Sequence, residues 1–531
     1  MMRMKIACIT INSLDNYAGI PKWRYSLPFA YLQSYYTLSK FHSRTQFVDI
    51  VKDVNADEPE LLDAIEKESP DVAAFSCYVW NTQKVCRLLP KIRKRLRQTR
   101  IVVGGPECTP DFMGLLEPGS YFDVLVKGEG ETVFRQLIDT LHETGGIAHD
   151  IPGTICYAKA ARRFIENPDA QPLRDINAIP SPYLNGIIDV KGLASSVIGI
   201  ETQRGCAYHC GYCSYPKGAK TIRYFDMQRI LRELDLILAA GPRQLYLMDP
   251  MFNSDRNRAG QILRHIGKKN TAPKTVINTE ILIDTMDETL FALARKAGVK
   301  TIEVGIQSFN PVAIKNLHRH RNEKKLLANM RTGLKYGLNL IPQIIYGLPG
   351  DTLGDFFDSF DRMYAFKVKE LDLFRLLILP GTEFRKKALL YGMTYDAAPP
   401  YEIRSNGQLS VKEADYLDLF RKVVLCTVWY KEVIMQICRK AHLPYHQLFN
   451  GFVAARRRSL ENTIFDWPIH SKEDKDSAMR IVRRFSDYLG KTAGRSKGTY
   501  EPIRRKIAQA EAYTKKVLLF RYLSVRSTRP V

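Results

Sequence analysis

Two hydrophobic spacings alternate along this chain. Up to about residue 145, short apolar runs with strand character (KIACIT, TQFVDI, DVAAFS, IVVGG and DVLVKG) are separated by stretches whose apolar positions recur every three or four residues (LPFAYLQSYYTL, PELLDAIEKE, TQKVCRLLPKIRKRLRQ and ETVFRQLIDTLHETGG). Strands separated by helices predict a parallel sheet covered on both faces, a doubly wound Rossmann-like domain over residues 1–145. Residues 146–195 are rich in proline with short strand-like pieces and read as a connector. From Ser196 the alternation restarts. SVIGIET, QLYLMD, TVINTEI, KTIEVGIQS, LIPQIIYG and LDLFRLLIL are six strand-like runs with helical stretches between them. They predict a partial (β/α)6 barrel over 196–390, whose chemistry belongs at the carboxyl ends of its strands. After Pro399-Pro400-Tyr401 the pattern is helical and basic to the end, so residues 391–531 read as an α-helical domain.

A chain of 531 residues is too long for one hydrophobic core, which agrees with several domains. The start, MMRMKIACITINS, has neither a long apolar core nor a small-residue cleavage site, so no signal peptide is expected. The run VVLCTVWYKEVIMQI is broken by Lys431 and Glu432 and is too short to cross a bilayer. The formal net charge of +23 is heaviest late, at Arg456, Arg457, Arg458, Arg504, Arg505, Lys506, Lys515 and Lys516. A solvated basic surface is the first reading of it; a docking surface for an anionic partner is the second.

Ten cysteines complete the picture. Cys8, Cys77, Cys86, Cys108, Cys156, Cys426 and Cys438 stand singly, mostly in apolar runs, and read as small core residues in a reducing, cytoplasmic setting. The other three form a C-x3-C-x2-C cluster, ETQRGCAYHCGYCSYPKG, on a loop directly after a strand. Three thiolates on a short loop suit three irons of a cubane, and with no fourth cysteine nearby one iron keeps an open position. The alternative is zinc, with His209 as a fourth ligand, although zinc motifs usually pair two C-x2-C units.

A cysteine triplet after the first barrel strand resembles the radical S-adenosylmethionine (SAM) superfamily. The resemblance implies a 4Fe–4S cluster on Cys206, Cys210 and Cys213, with SAM chelating the open iron and cleaved there to a 5′-deoxyadenosyl radical. It implies SAM contacts from Tyr212, beside the last cysteine, from Asp249 in LMDPMFN, Glu280 in INTEI, and Glu303 and Gln307 in IEVGIQSFN. Gly347 in IIYGLPGDT joins them, and Arg223 in KTIRYF matches a recurrent arginine. The family's usual Gly-Gly-Glu is absent at Asp249. The amino-terminal segments FSCYVWN, VVGGPECTP and DVLVKGEGET resemble the cobalamin-binding domains that precede some radical SAM barrels. They imply cobalamin contacts from Ser76, Tyr78, Gly104, Gly105 and Glu129, the glycine pair leaving room for the nucleotide tail. In such domains a histidine in D-x-H-x-x-G binds cobalt. Here SLDNYAGI puts Tyr17 at that position, and cobalamin without a histidine ligand is expected.

The resemblance covers roughly residues 1 to 420 and implies a cobalamin-dependent radical SAM C-methyltransferase acting on a small molecule or peptide. It also implies an electron donor of flavodoxin or ferredoxin type; nucleic acid is not expected as a partner. A radical SAM cyclase or rearrangement enzyme using cobalamin is the first alternative. A tRNA methylthiotransferase is the second, and would need a second cluster from Cys8, Cys77, Cys86 and Cys108.

Overall fold

The computed structural model describes residues 3–13, 23–194, 196–215, 221–270, 275–461, 472–494 and 500–526. The first sheet contains β1 (Met4–Asn12), β2 (Thr45–Asp53), β3 (Val72–Ser76), β4 (Arg100–Gly104), β5 (Val124–Val126), β6 (Thr154–Ala158) and β7 (Arg163–Glu166). Their spatial order is β2-β1-β3-β4-β5-β6-β7. The first five run parallel, and β6 and β7 are added antiparallel. Helices α1 (Leu27–Tyr36), α2 (Glu58–Glu68) and α3 (Thr82–Arg95) connect the first four strands, a 3₁₀ turn (Pro110–Leu115) joins β4 to β5, and α4 (Glu131–Thr144) leads from β5 to β6. Every residue of β3 is buried, as a central strand covered on both faces requires. Two apolar clusters, one on each face, fill the layers. The order reverses between β1 and β3, which opens a crevice beyond their carboxyl ends where doubly wound sheets bind ligands.

Part of the segment expected as a connector is thus sheet. RFIE alternates weakly and lies at the sheet's edge, half exposed, so its apolar signal is small. Residues 168–194 do run irregularly between the two sheets, with two short 3₁₀ turns.

The second sheet is the open barrel. β8 (Val197–Ile200) is followed by a small antiparallel pair, β9 (Gln203–Arg204) and β10 (Arg223–Tyr224), which brackets the cysteine loop. Then come β11 (Gln244–Leu247), β12 (Val276–Ile281), β13 (Val299–Gln307), β14 (Asn339–Tyr346) and β15 (Asp372–Arg375). All six barrel strands are parallel, in the order β15-β14-β13-β12-β11-β8. The crossover helices are α5 (Met227–Ala240), α6 (Arg256–Lys269), α7 (Glu288–Ala297), α8 (Pro311–Asn316), α9 (Glu323–Lys335) and α10 (Leu353–Tyr364). Several start on an aspartate cap, among them Asp226, Asp255 and Asp287, whose side chains accept from the third backbone N–H of the helix.

A short helix, α11 (Glu383–Lys386), and a two-stranded ribbon, β16 (Thr394–Tyr395) with β17 (Ile403–Ser405), precede the helical end of the chain. That end is α12 (Val411–Cys426), α13 (Lys431–Ala441), α14 (Tyr445–Glu461), α15 (Lys472–Gly494) and α16 (Tyr500–Arg526). Its aromatic core is continuous with that of the barrel. Phe356, Phe357 and Phe360 of α10 meet Phe420 of α12, and Phe360 meets Phe449 of α14. Arg456, Arg457, Arg458, Arg504, Arg505 and Lys506 are exposed on α14 and α16. Among the described residues no helix is long and apolar enough to cross a membrane.

Candidate functional site

The cysteine loop leaves the carboxyl end of β8 and is fastened on several sides. Asp249, two residues past β11 and 1% exposed, accepts from Thr202 N (2.7 Å), Gln203 N (3.1 Å) and Thr202 Oγ1 (2.5 Å). Gly205 has φ +94°, and a Cβ there would lie 2.6 Å from the Thr221 carbonyl oxygen, so the entry to the loop requires glycine. Beyond it, Phe384 N donates to Gly211 O at 2.9 Å, and the Phe384 ring occupies the space a side chain at 211 would need. Tyr208 Oη donates to His320 O at 3.0 Å. Cys206, Cys210 and Cys213 are partly exposed and mutually close enough to disfavour one another's charge. Burial is the larger effect and pushes the Cys210 thiol up to about 11. Among the described residues no three Cys, His, Asp or Glu side chains are gathered tightly enough to enclose a single ion. Three thiolates on one short loop suit the corners of an iron–sulfur cluster. Cys8, Cys77, Cys86 and Cys108 are buried in the first domain and form no such group either.

Both Asp249 oxygens accept from the residues that lead into the loop, so this carboxylate positions the loop's entry. Burial pushes its carboxyl up to about 7 against the three bonds that hold it down. Asp249→Ala leaves buried N–H donors unpaired, at about 1–3 kcal/mol each. The variant is expected to lose iron on desalting while keeping its far-ultraviolet circular dichroism. Unchanged iron retention would remove Asp249 from this role.

Glu280 and Glu303 sit side by side in register on β12 and β13. Glu303 accepts from Tyr246 Oη (2.8 Å) and Gln343 Nε2 (2.9 Å) and is committed to the barrel wall. The Glu280 carboxylate has no hydrogen-bond or ion-pair partner among the described residues; burial, then Glu303, pushes it up to about 7. Gln307, at a bulge ending β13, has φ +66°, an unusual conformation for a residue with a side chain. It is 5% exposed; its Nε2 donates to Tyr212 Oη at 2.8 Å, and its Oε1 is buried without a partner. Arg319, absent from the sequence expectations, converges on the same spot. A Cβ at Gly305 would lie 2.7 Å from Gln307 Nε2 and 3.0 Å from Arg319 Nη1. The Arg319 Nε is also a buried orphan, and its charge acts on all three cysteines. Two orphaned polar groups over a glycine, beside the cysteine loop, fit a polar ligand. Gly347 has a structural reason to be glycine: φ is +89° and a Cβ would lie 2.7 Å from Ile403 Cγ2.

A cavity of about 410 Å3 lies between the carboxyl ends of the two sheets. Ser76, Tyr78, Gly104, Gly105 and Glu129 all line it, so the five residues expected to meet cobalamin share one space. From the barrel side it is lined by Glu201 after β8, Arg204, Tyr215 just past the last cysteine, and Met248. None of these four was singled out from the sequence; only Arg204 and Tyr215, in ETQRGCAYHCGYCSY, carried a local hint. The cavity mouth is shaped by SCYVWN. Asn81, 1% exposed, donates to Ile11 O and Ser76 O at 2.9 Å and accepts from Tyr78 N, while Tyr78 and Trp80 stack at 4.4 Å. The two glycines differ. Gly105 has φ +115° and a Cβ would lie 2.6 Å from Cys77 O, whereas a Cβ at Gly104 meets only Val126, at 3.8 Å and beyond. Open space over Gly104 is a cradle of the kind a bulky cofactor needs. No histidine is among the lining residues. Asp15 and Tyr17 lie outside the described residues.

Charged pairs rivet the domains around this cavity. Arg223 forms a two-pronged pair with Glu129, one arm at 3.0 Å, and also donates to Leu173 O at 2.6 Å. Arg204 pairs with Glu131 (2.8 Å) and Glu201 (3.2 Å). On the far side Tyr401 Oη donates to buried Glu107 at 2.9 Å and Gln83 Nε2 donates to Pro399 O at 3.0 Å. Thus the glutamate of GGPE is an interdomain tie, and Arg223 is another. Arg223→Met strands Glu129 and is expected to cost about 2 kcal/mol. Faster limited proteolysis of the 168–194 connector reads this; an unchanged rate would contradict it.

Fold and site together define a radical SAM protein with a preceding B12-binding domain. The Radical SAM superfamily model matches residues 200–363 and the B12 binding domain model matches residues 37–138, and the chain belongs to the family that combines them. Its cofactors are accordingly a 4Fe–4S cluster with SAM, and cobalamin. Over 201 residues it is 31% identical to the cobalamin-dependent radical SAM methyltransferase TokK of Streptomyces tokunonensis, which is 36% of this chain but 29% of TokK. The chain therefore spans less than a third of that relative's length. Among solved structures, OxsB, a cobalamin-dependent SAM radical enzyme with aqua-cobalamin and SAM bound, superposes with a TM-score of 0.61 at 13% identity, over 97% of this chain and 84% of that one. The radical SAM methyltransferase TsrM from Kitasatospora setae, with cobalamin and cluster bound, gives 0.57 at 17% identity, over 77% and 82%.

Proposed function

We propose that this protein is a cobalamin-dependent radical SAM C-methyltransferase acting on a small molecule or peptide. The observation that carries the reading is the single cavity joining the glycine end of β4 to the residue two past Cys213. Cys206, Cys210 and Cys213 would hold the cluster. The free groups beside it, Gln307 Oε1, the Arg319 guanidinium and the Glu280 carboxylate, are those with capacity left for SAM. Ser76, Gly104 and the wall formed by Tyr78 and Glu129 would take cobalamin, without a histidine from the chain. When bound, the two groups supply a hydrogen-abstracting radical derived from SAM and a methyl group to replace that hydrogen.

The chain's own contribution is position and exclusion of water. Asp249 and Phe384 hold the loop in one geometry, so that little rearrangement is needed when substrate arrives. The pairs of Arg223 and Arg204 fix the distance between the two cofactor sites. Tyr31, Tyr215 and Met248 give the cavity a largely apolar wall where a reactive species is shielded from solvent. The names of TokK and TsrM support methyl transfer over other uses of the same cofactors. A one-electron donor of flavodoxin or ferredoxin type belongs to the reading, as does a reducing, cytoplasmic setting, where thiolate ligands are kept from disulfide formation.

Reconstituted protein supplied with SAM, hydroxocobalamin and dithionite is expected to form both 5′-deoxyadenosine and S-adenosylhomocysteine. 5′-Deoxyadenosine alone would favour a ring-forming or rearranging enzyme. S-adenosylhomocysteine alone would indicate methyl transfer without the radical.

A further inference from the structure

One exposed surface adjoins the cysteine loop. The loop is clamped between two exposed segments. On one side lies the turn after α8, His318 to Arg321, tied to it by Tyr208 Oη on His320 O and by Arg319 over the Tyr208 ring at 5.7 Å. On the other lies α11 with the turn that follows it, tied through Phe384 to Gly211. The two segments touch each other: His318 Nε2 is 2.9 Å from Glu383 Oε1, and Leu317, Phe384 and Ala388 share one small apolar cluster. Leu389 and Leu390 project from that turn, 94% and 75% exposed. Among the described residues no other large apolar side chain is as exposed. On α8 and these two segments Lys315, His318, His320, Lys386 and Lys387 are exposed. Lys315 and Lys386 have no carboxylate partner among the described residues, and the patch's own acid, Glu383, is taken by His318 and Lys387. Ala207 and His209 of the cysteine loop are themselves exposed.

We infer that this face is the docking site for a small acidic one-electron carrier protein. It has the anatomy of a transient interface, an apolar centre with a charged rim. Its sign selects a negative partner and speeds encounter with one. It also lies directly over the loop where an electron must enter. The inference rests on the cluster reading given above: one electron leaves the carrier's reduced cofactor and the cluster gains it, with no bond made or broken. A second copy of this chain, equally basic, is the wrong partner for the rim.

The test is titration calorimetry of the holoprotein with purified flavodoxin and with a plant-type ferredoxin, at low and high salt. At least one is expected to bind at low salt and to weaken as salt rises. Leu389→Asp/Leu390→Asp and Lys315→Glu/Lys386→Glu are each expected to weaken binding about tenfold or more, with dithionite-driven 5′-deoxyadenosine formation at the wild-type level. No binding by either carrier, or unchanged affinity in both double variants, would overturn the inference. So would sedimentation as a dimer that Leu389→Asp/Leu390→Asp dissolves. Loss of the dithionite-driven reaction in the wild type would instead strike the cluster reading, which calorimetry does not depend on.

Discussion

Alanine at any one of Cys206, Cys210 or Cys213 is expected to leave protein with little iron and SAM cleavage at background. The loop has no spare ligand: the other seven cysteines are buried elsewhere and His209 points to solvent. Two thiolates cannot hold a cubane that three already leave open at one corner. The fold is expected to survive, because these side chains are partly exposed and the loop is fastened by Asp249, Gly205 and Phe384 rather than by its thiols. Away from buried features, substitutions usually shift stability by no more than about 0.5 kcal/mol. Iron per chain and 5′-deoxyadenosine, measured together with the melting temperature, test this. A single-alanine variant with wild-type iron would place the metal elsewhere.

The second large effect separates the two cofactors. Gly104→Phe is expected to bring cobalt to background and leave iron in place. A Cβ at 104 meets nothing closer than 3.8 Å, so the backbone accepts the side chain and the ring enters the cavity. Gly105 is the wrong probe: with φ +115° and Cys77 O at 2.6 Å, any side chain there disturbs the strand end itself. Cobalt retained at the wild-type level in Gly104→Phe would mean that the corrinoid does not lie over β4.

What the amino-acid sequence revealed of this site follows from how local each feature is. The cysteine triplet and the Gly-Gly after β4 are short patterns whose spacing carries chemistry, and they were legible. The alternation of strand and helix was legible for the same reason, down to the six barrel strands. Strands β6 and β7 were not, because an edge hairpin is short and weakly amphipathic. Arg319 was missed because its place beside the cysteines depends on a fold contact more than a hundred residues away in sequence, with Tyr208. Asp249 was legible as a strand-end carboxylate, but its bonds to Thr202 and Gln203 were not. A carboxylate near a strand end looks the same in sequence whether it faces a ligand or its own backbone. Glu129 and Arg223, read separately as cofactor contacts and family markers, turned out to bind each other.

One chain is expected to hold one cluster and one corrinoid on either side of a shared cavity. Metal analysis of anaerobically purified, reconstituted protein tests it most directly. About four irons and about one cobalt per chain are expected. About eight irons without cobalt, or zinc in place of iron, would contradict it.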